Sequence, residues 1–475
     1  MDDLAFDFAV IGAGPAGMAA AATATACGLS CVVIEEAVLP GGQAYRSPPV
    51  AFRAPKKDRD RSDGDALRNE LARSGATLAL GHRLWWIGER FRLATLGPDG
   101  PRTYRVTAVL VATGTTERVM PFPGWTTPGV IGLAAATILA KADGVVPGER
   151  LVVAGVGPLL PLVVAKALAA GARVEAVVDL AARYDWVRAA LEGRSRPDLV
   201  ARGTGWLARA TFARVPWLFR HTVARVTPSG DALGVEIAPV DDEGRPTGVV
   251  GRTLAADSLC IGHGLVPTTE ITRLLGARHV FRRDRGGWIA AADAFGRTSV
   301  RGLYVAGDTA GIDGAAAAPL AGRLAATAVA HDAEGSVGDP DGAEVRSLSR
   351  RRAAAVRFGR AMARLSKPRP GLLAAASADV VVCRCEDVTR AEIDAAVAAG
   401  ARDVNQVKAW TRCGMGPCQG RMCGEAAAEL VAMHVGGRER TGLWTGRAPL
   451  RPVPLDALIG TYEYGEIAIP KAAPL

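Results

Sequence analysis

Short apolar runs alternate with segments rich in glycine and alanine along the first 180 residues. The apolar run 8–11 leads into a glycine-rich turn at 12–17, an alanine-rich stretch, and a second apolar run at 31–35. A similar order returns at 151–179. Short apolar runs bounded by glycine are typical of buried strands, and longer stretches of small apolar residues are typical of helices. The pattern therefore predicts two strand–turn–helix–strand units.

Later apolar runs predict further buried strands. Residues 106–111 form one such run, which ends in the Ala-Thr-Gly sequence 112–114. Residues 303–305 form another, which opens into the Gly-Asp pair 307–308 and a segment of small residues. Strands that alternate with helical segments indicate an α/β protein with parallel sheets.

Turn signals and polar stretches divide the rest of the chain. Residues 220–255 contain turn signals at 229–230 and 243–244, so we expect hairpins there. Charged residues dominate 56–65, where we expect a loop. Residues 332–345 are rich in Asp, Gly and Ser, which predicts a linker.

Length and composition indicate a large globular protein. The chain has 475 residues, of which 49% are hydrophobic and 22% are charged, so a disordered polymer is excluded. The net charge is +9, but the basic residues are dispersed, and we expect no nucleic acid as a partner.

Residues 8–34 are uncharged, yet glycines and a proline interrupt them and their flank is acidic. We therefore expect no transmembrane segment or signal peptide and a cytoplasmic location.

The turn at 12–17 has the glycine spacing of a dinucleotide-binding loop. Gly12 permits the tight turn, Gly14 lets the backbone approach a pyrophosphate, and Gly17 lets the helix pack closely on the strand. Glu35 ends the second strand about 20 residues later, where a carboxylate binds ribose hydroxyls. With a strand on each side of the motif, we predict that the first unit binds a dinucleotide.

The second unit carries a degenerate form of this loop. Gly155 and Gly157 match the first two glycines, but Leu160 stands where the third belongs. Asp179 lies where the ribose carboxylate belongs and would repel a 2′-phosphate, so a pyridine nucleotide bound there would be NAD and not NADP. Three alternatives stay open: turnover of NAD(H), a nucleotide held without turnover, and an empty structural domain.

Five of the eight cysteines crowd near the C-terminus. Cys383 and Cys385 form a Cys-x-Cys pair, and Cys413, Cys418 and Cys423 follow at equal intervals. In a chain without a recognisable secretion signal, such a cluster indicates a metal site and not a disulfide framework. Four thiolates suit an iron–sulfur cluster, and they also suit tetrahedral zinc. The spacing alone leaves open whether the second pair is Cys413 with Cys418 or Cys418 with Cys423.

These motifs together resemble a family of flavoproteins. The loops at 12–17 and 155–160, the Ala-Thr-Gly at 112–114 and the Tyr-Val-Ala-Gly-Asp at 304–308 resemble the two-dinucleotide-domain flavoprotein reductases. The dithiol motif of thioredoxin and glutathione reductases does not occur in the sequence. Oxidation of a dithiol is therefore not the expected activity.

A narrower resemblance rests on three other segments. The sequence Pro-Gly-Gly-Gln-Ala-Tyr-Arg at 40–46, the Pro-Phe-Pro-Gly-Trp at 121–125 and the Cys-Arg-Cys-Glu-Asp at 383–387 are similar to α subunits of heteromeric opine oxidases. D-hydroxyproline dehydrogenase and hydrogen cyanide synthase subunits share that pattern. The cysteine segment resembles the bacterioferritin-associated-ferredoxin type of [2Fe-2S] domain, which favours iron–sulfur over zinc.

The resemblance implies an α/β two-dinucleotide-binding-domain flavoprotein. A split Rossmann-like FAD domain would hold an inserted NAD-domain-like segment, and a small [2Fe-2S] domain would follow. The implied segments are 1–146 and 276–331 for the two parts of the FAD domain, 147–275 for the insertion, 332–375 for a linker and helix, 376–436 for the [2Fe-2S] domain, and 437–475 for a tail.

The resemblance also assigns residues to each cofactor. The implied FAD contacts are Gly12, Gly14, Pro15, Ala16, Gly17, Glu35, Gly42, Gln43, Leu84, Ala112, Thr113, Gly114, Gly307 and Asp308. The implied cluster ligands are Cys383, Cys385, Cys413 and Cys418, with Cys423 buried in the following helix. His263 is the histidine placed best to approach a cofactor, although a structural role is the favoured interpretation. No substrate base is identified.

The function implied by the resemblance is electron transfer. A partner β subunit, an amino-acid-oxidase-like flavoprotein, would oxidise the C–N bond of an amino acid, imino acid or opine. This FAD-dependent chain would relay the electrons to a quinone, cytochrome or other acceptor. The resemblance also allows a small γ subunit, an FMN at the subunit interface and peripheral attachment at the inner face of the membrane.

Two other functions stay open, and one surface is expected at a subunit contact. The chain could be an NADH-dependent reductase of a ferredoxin-like partner, or a non-catalytic scaffold that carries cofactors. The segment around Trp125 and the C-terminal tail are unusually apolar for exposed loops, so we expect a partner subunit to cover them.

Overall fold

The computed structural model describes residues 3–48, 59–248, 251–336, 338–374 and 376–458. Strands and helices alternate through most of these residues. The strands are β1 (Leu4–Ile11), β2 (Cys31–Glu35), β3 (Thr77–Leu80), β4 (Arg83–Ile87), β5 (Arg92–Gly97), β6 (Gly100–Val111), β7 (Thr115–Glu117), β8 (Val130–Gly132), β9 (Arg150–Gly155), β10 (Arg173–Asp179), β11 (Trp217–Phe219), β12 (His221–Ser229), β13 (Ala232–Pro239), β14 (Arg252–Ala256), β15 (Ser258–Gly262), β16 (Leu265–Pro267), β17 (His279–Arg282), β18 (Gly287–Ala290), β19 (Leu303–Val305), β20 (Val381–Cys383) and β21 (Val388–Thr389). The helices are α1 (Pro15–Ala26), α2 (Arg59–Arg73), α3 (Leu133–Ala142), α4 (Leu159–Ala169), α5 (Arg183–Glu192), α6 (Pro197–Phe212), α7 (Glu270–Leu274), α8 (Ala318–Ala333), α9 (Ala343–Leu365), α10 (Gly371–Ala374), α11 (Arg390–Ala398), α12 (Val404–Thr411) and α13 (Gly424–Val435).

The first sheet has the order β3-β2-β1-β6-β5-β4, and β19 pairs with β6. Strand β1 runs parallel to both neighbours, so that Phe8 pairs with Cys31 on one side and with Ala108 on the other. Helices α1 and α8 cover one face, where a Cβ on Gly322 of α8 would overlap the backbone oxygen of Ala16 in α1. This close approach explains why both helices are built from small residues. Because β19 returns to the first sheet after the second sheet is complete, the first unit is split.

The second sheet has the order β11-β10-β9-β15-β8 and is parallel in every pair. A three-stranded antiparallel sheet, β12-β13-β14, lies in the chain between β11 and β15 of this sheet, and the predicted turn at 229–230 joins its first two strands. Strand β8 belongs to the second sheet because Val130 pairs with Leu259. The second unit therefore begins earlier in the chain than the predicted boundary at residue 147.

The charged stretch expected to be a loop is helical from residue 59 onward, and residues 56–58 lie outside the described residues. Helix α2 buries few side chains, but its acidic and basic residues pair with the second unit. Asp60 contacts both Lys141 of α3 and Arg202 of α6, and Arg59 lies 3.0 Å from Asp198. These long-range ion pairs favour a helix where the local sequence indicated a loop.

The C-terminal module contains a two-stranded sheet and three helices around its own apolar core. Thr389 and Glu392 form a capping box at the start of α11, and the Asp403 carboxylate accepts N–H groups at the start of α12. The connection between α8 and α9 is shorter than the predicted linker 332–345, because α8 ends at Ala333 and α9 begins at Ala343. None of the helices in the described ranges combines the length and the apolar character needed to span a bilayer.

Candidate functional site

A cleft lies at the carboxyl ends of the first sheet's parallel strands. It brings together residues from every segment for which FAD contacts were predicted. The predicted residues that line it are Gly12, Gly14, Pro15, Ala16, Glu35, Gly42, Gln43, Leu84, Ala112, Thr113, Gly114, Gly307 and Asp308. Gly17 does not line the cleft, because a Cβ there would overlap the Gly12 oxygen in the packing of α1 on β1.

The amino end of α1 faces this cleft without a side-chain cap. Gly14 is the N-cap residue, Pro15 follows it in the first turn, and no acidic side chain lies in that turn. A Cβ on Gly14 would meet no atom closer than 4.0 Å, whereas a Cβ on Gly12 would lie 2.7 Å from the Ala112 oxygen. Uncapped N–H groups at a helix N-terminus bind anions, and the open space lets a pyrophosphate come close. The cleft therefore fits the phosphates of a dinucleotide.

Glu35 is held rigidly at the end of β2. Its Oε2 accepts the Ala13 N–H at 2.6 Å and its Oε1 accepts the Ala37 N–H at 2.8 Å. Burial raises the pKa of this carboxyl, and the two backbone N–H groups oppose that shift. The side chain is thus fixed where a ribose would lie in a βαβ unit.

Asp308 closes the other end of the cleft. Its Oδ1 accepts the N–H groups of Asp313 at 3.1 Å and of Gly314 at 2.8 Å, which orders the loop before α8. Burial raises the pKa of Asp308, against the effect of those N–H groups. Ala315 and Ala318 from the start of α8 also line the cleft, so the helix begins beside the cofactor position.

Several lining residues were missed in the sequence. They are Glu36, Arg46, His82, Glu270, Ile271, Leu450 and Arg451. His82 is buried and contacts Thr95 Oγ1 at 3.2 Å and Asp99 Oδ1 at 2.8 Å. His263, for which a structural role was the favoured interpretation, is not among the lining residues, and burial together with Arg118 lowers its pKa to about 4. The sequence offered one signal for His82, which is its position two residues before Leu84, a predicted FAD contact.

Asp179 of the second unit is fully buried and already has partners. Its Oδ1 accepts the Ala181 N–H at 2.9 Å, and its Oδ2 accepts the indole N–H groups of Trp186 at 2.8 Å and Trp217 at 3.0 Å. Burial raises the pKa of Asp179 to about 6, although these hydrogen bonds oppose the shift. Each Glu35 oxygen accepts one N–H group, whereas Asp179 Oδ2 accepts two and the Asp179 side chain is fully buried, so Asp179 is not available to a ribose.

The glycine loop of the second unit is covered by the segment after α9. A Cβ on Gly157 would overlap Ser366 Oγ, and a Cβ on Gly264 would lie 3.1 Å from the Ser366 oxygen. Arg369 Nη1 donates to the Leu180 oxygen at 2.5 Å, and Leu372 packs on the apolar cluster around Leu180. The chain itself therefore lies where a second nucleotide would approach Gly155 and Gly157.

Five thiols meet in the C-terminal module. The sulfurs of Cys383, Cys413 and Cys423 lie within 4.8 Å of one another, and Cys385 contacts Cys418. Cys423 is buried as expected, but it is the N-cap of α13 and its sulfur belongs to the group. The Cys423 sulfur thus lies beside those of Cys383 and Cys413, and the implied ligand set without Cys423 stays a prediction.

The charge interactions among these five cysteine side chains favour binding of a metal cation. Hydrogen bonds from Cys413 and Cys423 lower the pKa of Cys383, and contact with Cys383 raises the pKa of both neighbours. Sulfurs so close cannot all ionise unless a cation offsets their charge. The donor set suits a thiolate-bound metal cluster.

A buried network of charges joins this module to the first unit. Glu425 of α13 pairs with Arg118 and, at 2.8 Å, with Arg438, while Glu429 lies 3.3 Å from Arg438 and 3.4 Å from Arg283. Burial alone would raise the pKa of Glu425, but the two arginines hold it below its usual range. Arg118 follows β7 and Arg283 follows β17, so the network fixes α13, whose N-cap is Cys423.

The apolar segment at Trp125 faces this module and not a partner. Trp125 is only 8% exposed, and its indole N–H donates to the Val381 oxygen at 2.7 Å. The Arg384 guanidinium lies over the ring, 5.6 Å from its centre. The expectation of a subunit contact at Trp125 is therefore wrong, because the module of the same chain covers it.

Comparisons with known proteins agree with this arrangement. Residues 6–333 match the family "Pyridine nucleotide-disulphide oxidoreductase", and residues 381–433 match the "BFD-like [2Fe-2S] binding domain". The chain is 37% identical to a subunit of opine oxidase from Rhizobium meliloti (strain 1021), over 95% of this chain and 97% of that protein. It is 34% identical to hydrogen cyanide synthase subunit HcnB of Pseudomonas aeruginosa, over 94% and 97% of the two chains.

A solved structure shows the same fold over nearly the whole chain. L-proline dehydrogenase from P. horikoshii has a TM-score of 0.69 and 22% identity, covering 97% of this chain and 80% of that one. These matches confirm the resemblance found in the sequence and the fold class inferred from it. The family match implies FAD, and the C-terminal match implies a [2Fe-2S] cluster. The chain belongs to the pyridine nucleotide-disulphide oxidoreductase family, as an FAD- and [2Fe-2S]-containing oxidoreductase subunit.

Proposed function

We propose that this chain is the electron-relay subunit of a heteromeric dehydrogenase. An amino-acid-oxidase-like β subunit oxidises the C–N bond of an amino acid, imino acid or opine, and this chain passes the electrons to a quinone, cytochrome or other acceptor. The names of two relatives, a subunit of an opine oxidase and a subunit of a hydrogen cyanide synthase, support a multi-subunit oxidation of this class.

The single observation that carries the proposal is the contrast between the two dinucleotide units in the described part of the chain. The first has an open cleft, whereas Ser366 covers the glycine loop of the second and two indoles occupy Asp179. A reductase that draws electrons from NADH needs a nucleotide site beside its flavin. With that site filled, a partner subunit is the better source of electrons.

The residues of this chain hold and separate the two cofactors. The amino end of α1 and Gly14 receive the FAD pyrophosphate, Glu35 receives the ribose, and Asp308 lies at the opposite end of the cleft. FAD and a [2Fe-2S] cluster together convert a two-electron input into one-electron steps. The pairs around Glu425 keep the cluster module in one position relative to the FAD cleft.

The remaining components follow from the same proposal. Substrate oxidation takes place on the β subunit, and the complex accommodates an FMN at the subunit interface and a small γ subunit. We place the complex in the cytoplasm, peripheral to the inner face of the membrane if its acceptor is a quinone.

The test compares the chain alone with the chain co-expressed with an amino-acid-oxidase-like subunit from the same organism. Opines, D- and L-amino acids, hydroxyproline and glycine are screened with an artificial electron acceptor. We expect turnover by the complex and none by the chain alone. Turnover by the isolated chain at the rate of the complex would contradict the proposal.

A pair of variants tests the relay itself within the complex. Cys385→Ser should leave reduction of the partner's flavin by substrate intact and abolish reduction of a quinone, because Cys385 belongs to the thiol group. Cys27→Ser is the matched control, since Cys27 is exposed and distant in sequence from that group. Unchanged quinone reduction in Cys385→Ser would exclude the cluster from the electron path.

A further inference from the structure

Residues 449–451, which follow the cluster module and are called the covering segment below, lie over the first cleft. Leu450 and Arg451 both line the cleft, and Leu450 is buried against Leu84 and Ile271. The Leu450 N–H donates to the Trp85 oxygen at 2.7 Å, so the segment adds a backbone contact beside β4. These residues cover the end of the cleft where Glu35 lies, which is the adenosine end of a bound dinucleotide.

Glu270 is held between two arginines at this end of the cleft. Its Oε2 accepts a hydrogen bond from Arg451 Nη1 at 3.0 Å, and its Oε1 lies 2.7 Å from Arg421 Nε. Arg451 also reaches Glu36, at 3.8 Å. Burial raises the pKa of Glu270, and the charge of Arg451 opposes that shift. A buried carboxylate of this kind depends on its cationic partners, because losing one leaves charge uncompensated.

One of these arginines comes from the loop that carries two of the cysteines. This cysteine loop is residues 418–423, and Arg421 lies inside it. Arg421 Nη2 donates to the Leu450 oxygen at 2.8 Å, and Gln419 Nε2 donates to the Pro449 oxygen at 2.7 Å. The cysteine loop therefore contacts both Glu270 and the covering segment.

We propose that Arg421 and Arg451 clamp Glu270 from two sides and so couple FAD retention to the loaded iron–sulfur cluster. A cluster bound to the cysteine loop fixes its backbone, which places Arg421 on Glu270 and on the Leu450 oxygen. The covering segment then stays over the adenosine end of the cleft. Loss of the cluster frees the loop, loosens the segment and lets FAD leave. This inference rests on FAD occupying the first cleft.

The proposed coupling has a thermodynamic consequence that a purely structural role of Arg421 would not have: each cofactor changes the affinity for the other. If the cluster tightens FAD binding, FAD must protect the cluster by the same factor. Substituting Arg421 should remove both effects and leave each cofactor able to bind on its own. Arg421 is not among the residues that line the cleft, so it acts on FAD as a positioning residue, through Glu270 and the Leu450 oxygen.

The experiment measures the Kd of FAD by its fluorescence in four full-length proteins, each with iron present and after removal of iron by a chelator. The proteins are the wild type, Arg421→Ala, Arg451→Ala and the matched control Arg412→Ala. Arg412 pairs with Glu386 beside the same cysteines and is exposed. We expect iron removal to raise the wild-type Kd about tenfold, which is the loss of one charge-assisted contact.

Each outcome decides the inference. Arg421→Ala and Arg451→Ala should have the raised Kd already with iron present, and iron removal should change it little. Arg412→Ala should behave as the wild type does. A wild-type Kd that does not respond to iron removal overturns the coupling, as does a wild-type response in both arginine variants. Failure of the wild type to bind FAD at all would instead contradict the proposed function. If Arg421→Ala does not fold, Arg451→Ala decides, because it lies outside the module.

Discussion

At the scale of single residues, the position of a thiol relative to a helix end separates Cys423 from Cys413. Cys423 is the N-cap of α13, where the partial positive charge of the helix favours a thiolate. Cys413 follows the C-terminus of α12, where the partial charge is negative and disfavours one. Both sulfurs lie beside Cys383, so distance does not choose between them. We infer that Cys423 is a ligand and that Cys413 is a buried thiol beside the cluster.

This inference differs from the ligand set that the resemblance implies, and the two can be told apart directly. Cys423→Ser should lose the paramagnetic signal of the reduced [2Fe-2S] cluster and most of its iron, because a serine is a poor substitute for a thiolate. Cys413→Ser should keep both. Cys27→Ser is the control for any general effect of removing a thiol. A signal that survives in Cys423→Ser and disappears in Cys413→Ser would restore the original set.

The residues that sequence could assign are those whose roles follow from one local unit. Gly14 and Glu35 sit at fixed positions of a βαβ unit, so their spacing is sufficient to place them in the cleft. His82, Glu270 and Arg451 reach the same cleft from segments that are distant in the chain. Their positions depend on tertiary packing, which leaves no periodic signal in the sequence.

At the scale of elements, α3 is capped by a side chain from another strand. The N-cap residue Gly132 has no side chain, and Glu117 of β7 supplies Oε1 as the acceptor of the Ala134 N–H at 2.9 Å. A Cβ on Gly262 would lie 2.6 Å from that oxygen, so glycine is required for the carboxyl to fit. Burial raises the pKa of Glu117 to about 7, although the N–H groups of α3 oppose the shift.

This pKa predicts how stability depends on pH. Between the unfolded pKa of 4.5 and the folded pKa of about 7, the folded state holds a proton that the unfolded state releases. The stabilisation of the folded state by the proton on Glu117 is therefore complete below pH 4.5, and it is lost as the pH rises through 7. The free energy of unfolding should fall by up to about 1.4 kcal/mol per pH unit in that window. Glu117→Gln should remove this slope.

Urea denaturation at pH 5, 6, 7 and 8 measures the effect. The control is Glu439→Gln, which alters an exposed carboxyl. The difference in unfolding free energy between Glu117→Gln and the wild type should grow in favour of the glutamine as the pH rises. A difference that stays constant with pH would show that Glu117 does not titrate in this range.

At the scale of the whole molecule, the order of the units followed from the sequence but their docking did not. The split first unit, the second unit and the cysteine module each carry local motifs. The burial of Trp125 under the module and the cover of Gly157 by Ser366 arise from contacts between segments more than 200 residues apart. Such contacts are decided by the shapes of finished units. The apolar character of the Trp125 segment therefore indicated burial but not which surface buries it, and the covering surface is the module of the same chain.

The covered second unit leads to a prediction about electron donors. NADH and NADPH at about 1 mM should leave the bound FAD oxidised for minutes, whereas dithionite should reduce it at once. The physical reason is that a nucleotide would have to displace the segment 366–372 and then compete with two indoles for Asp179. Each step breaks contacts that a nucleotide at this degenerate loop has little means to replace.

A variant tests whether Arg369 holds the segment 366–372 on the second unit. Arg369→Ala removes the hydrogen bond to the Leu180 oxygen and should lower the thermal midpoint by a few degrees, since one charged contact is worth about 1–3 kcal/mol. The FAD should still stay oxidised with NADH, because Asp179 remains occupied. Arg188→Ala, which loses an exposed pair with Glu192, is the control for stability and should change the midpoint little. Bleaching of the wild-type flavin within seconds of adding stoichiometric NADH would mean that the segment 366–372 yields to a nucleotide, and the second unit would then be a working site.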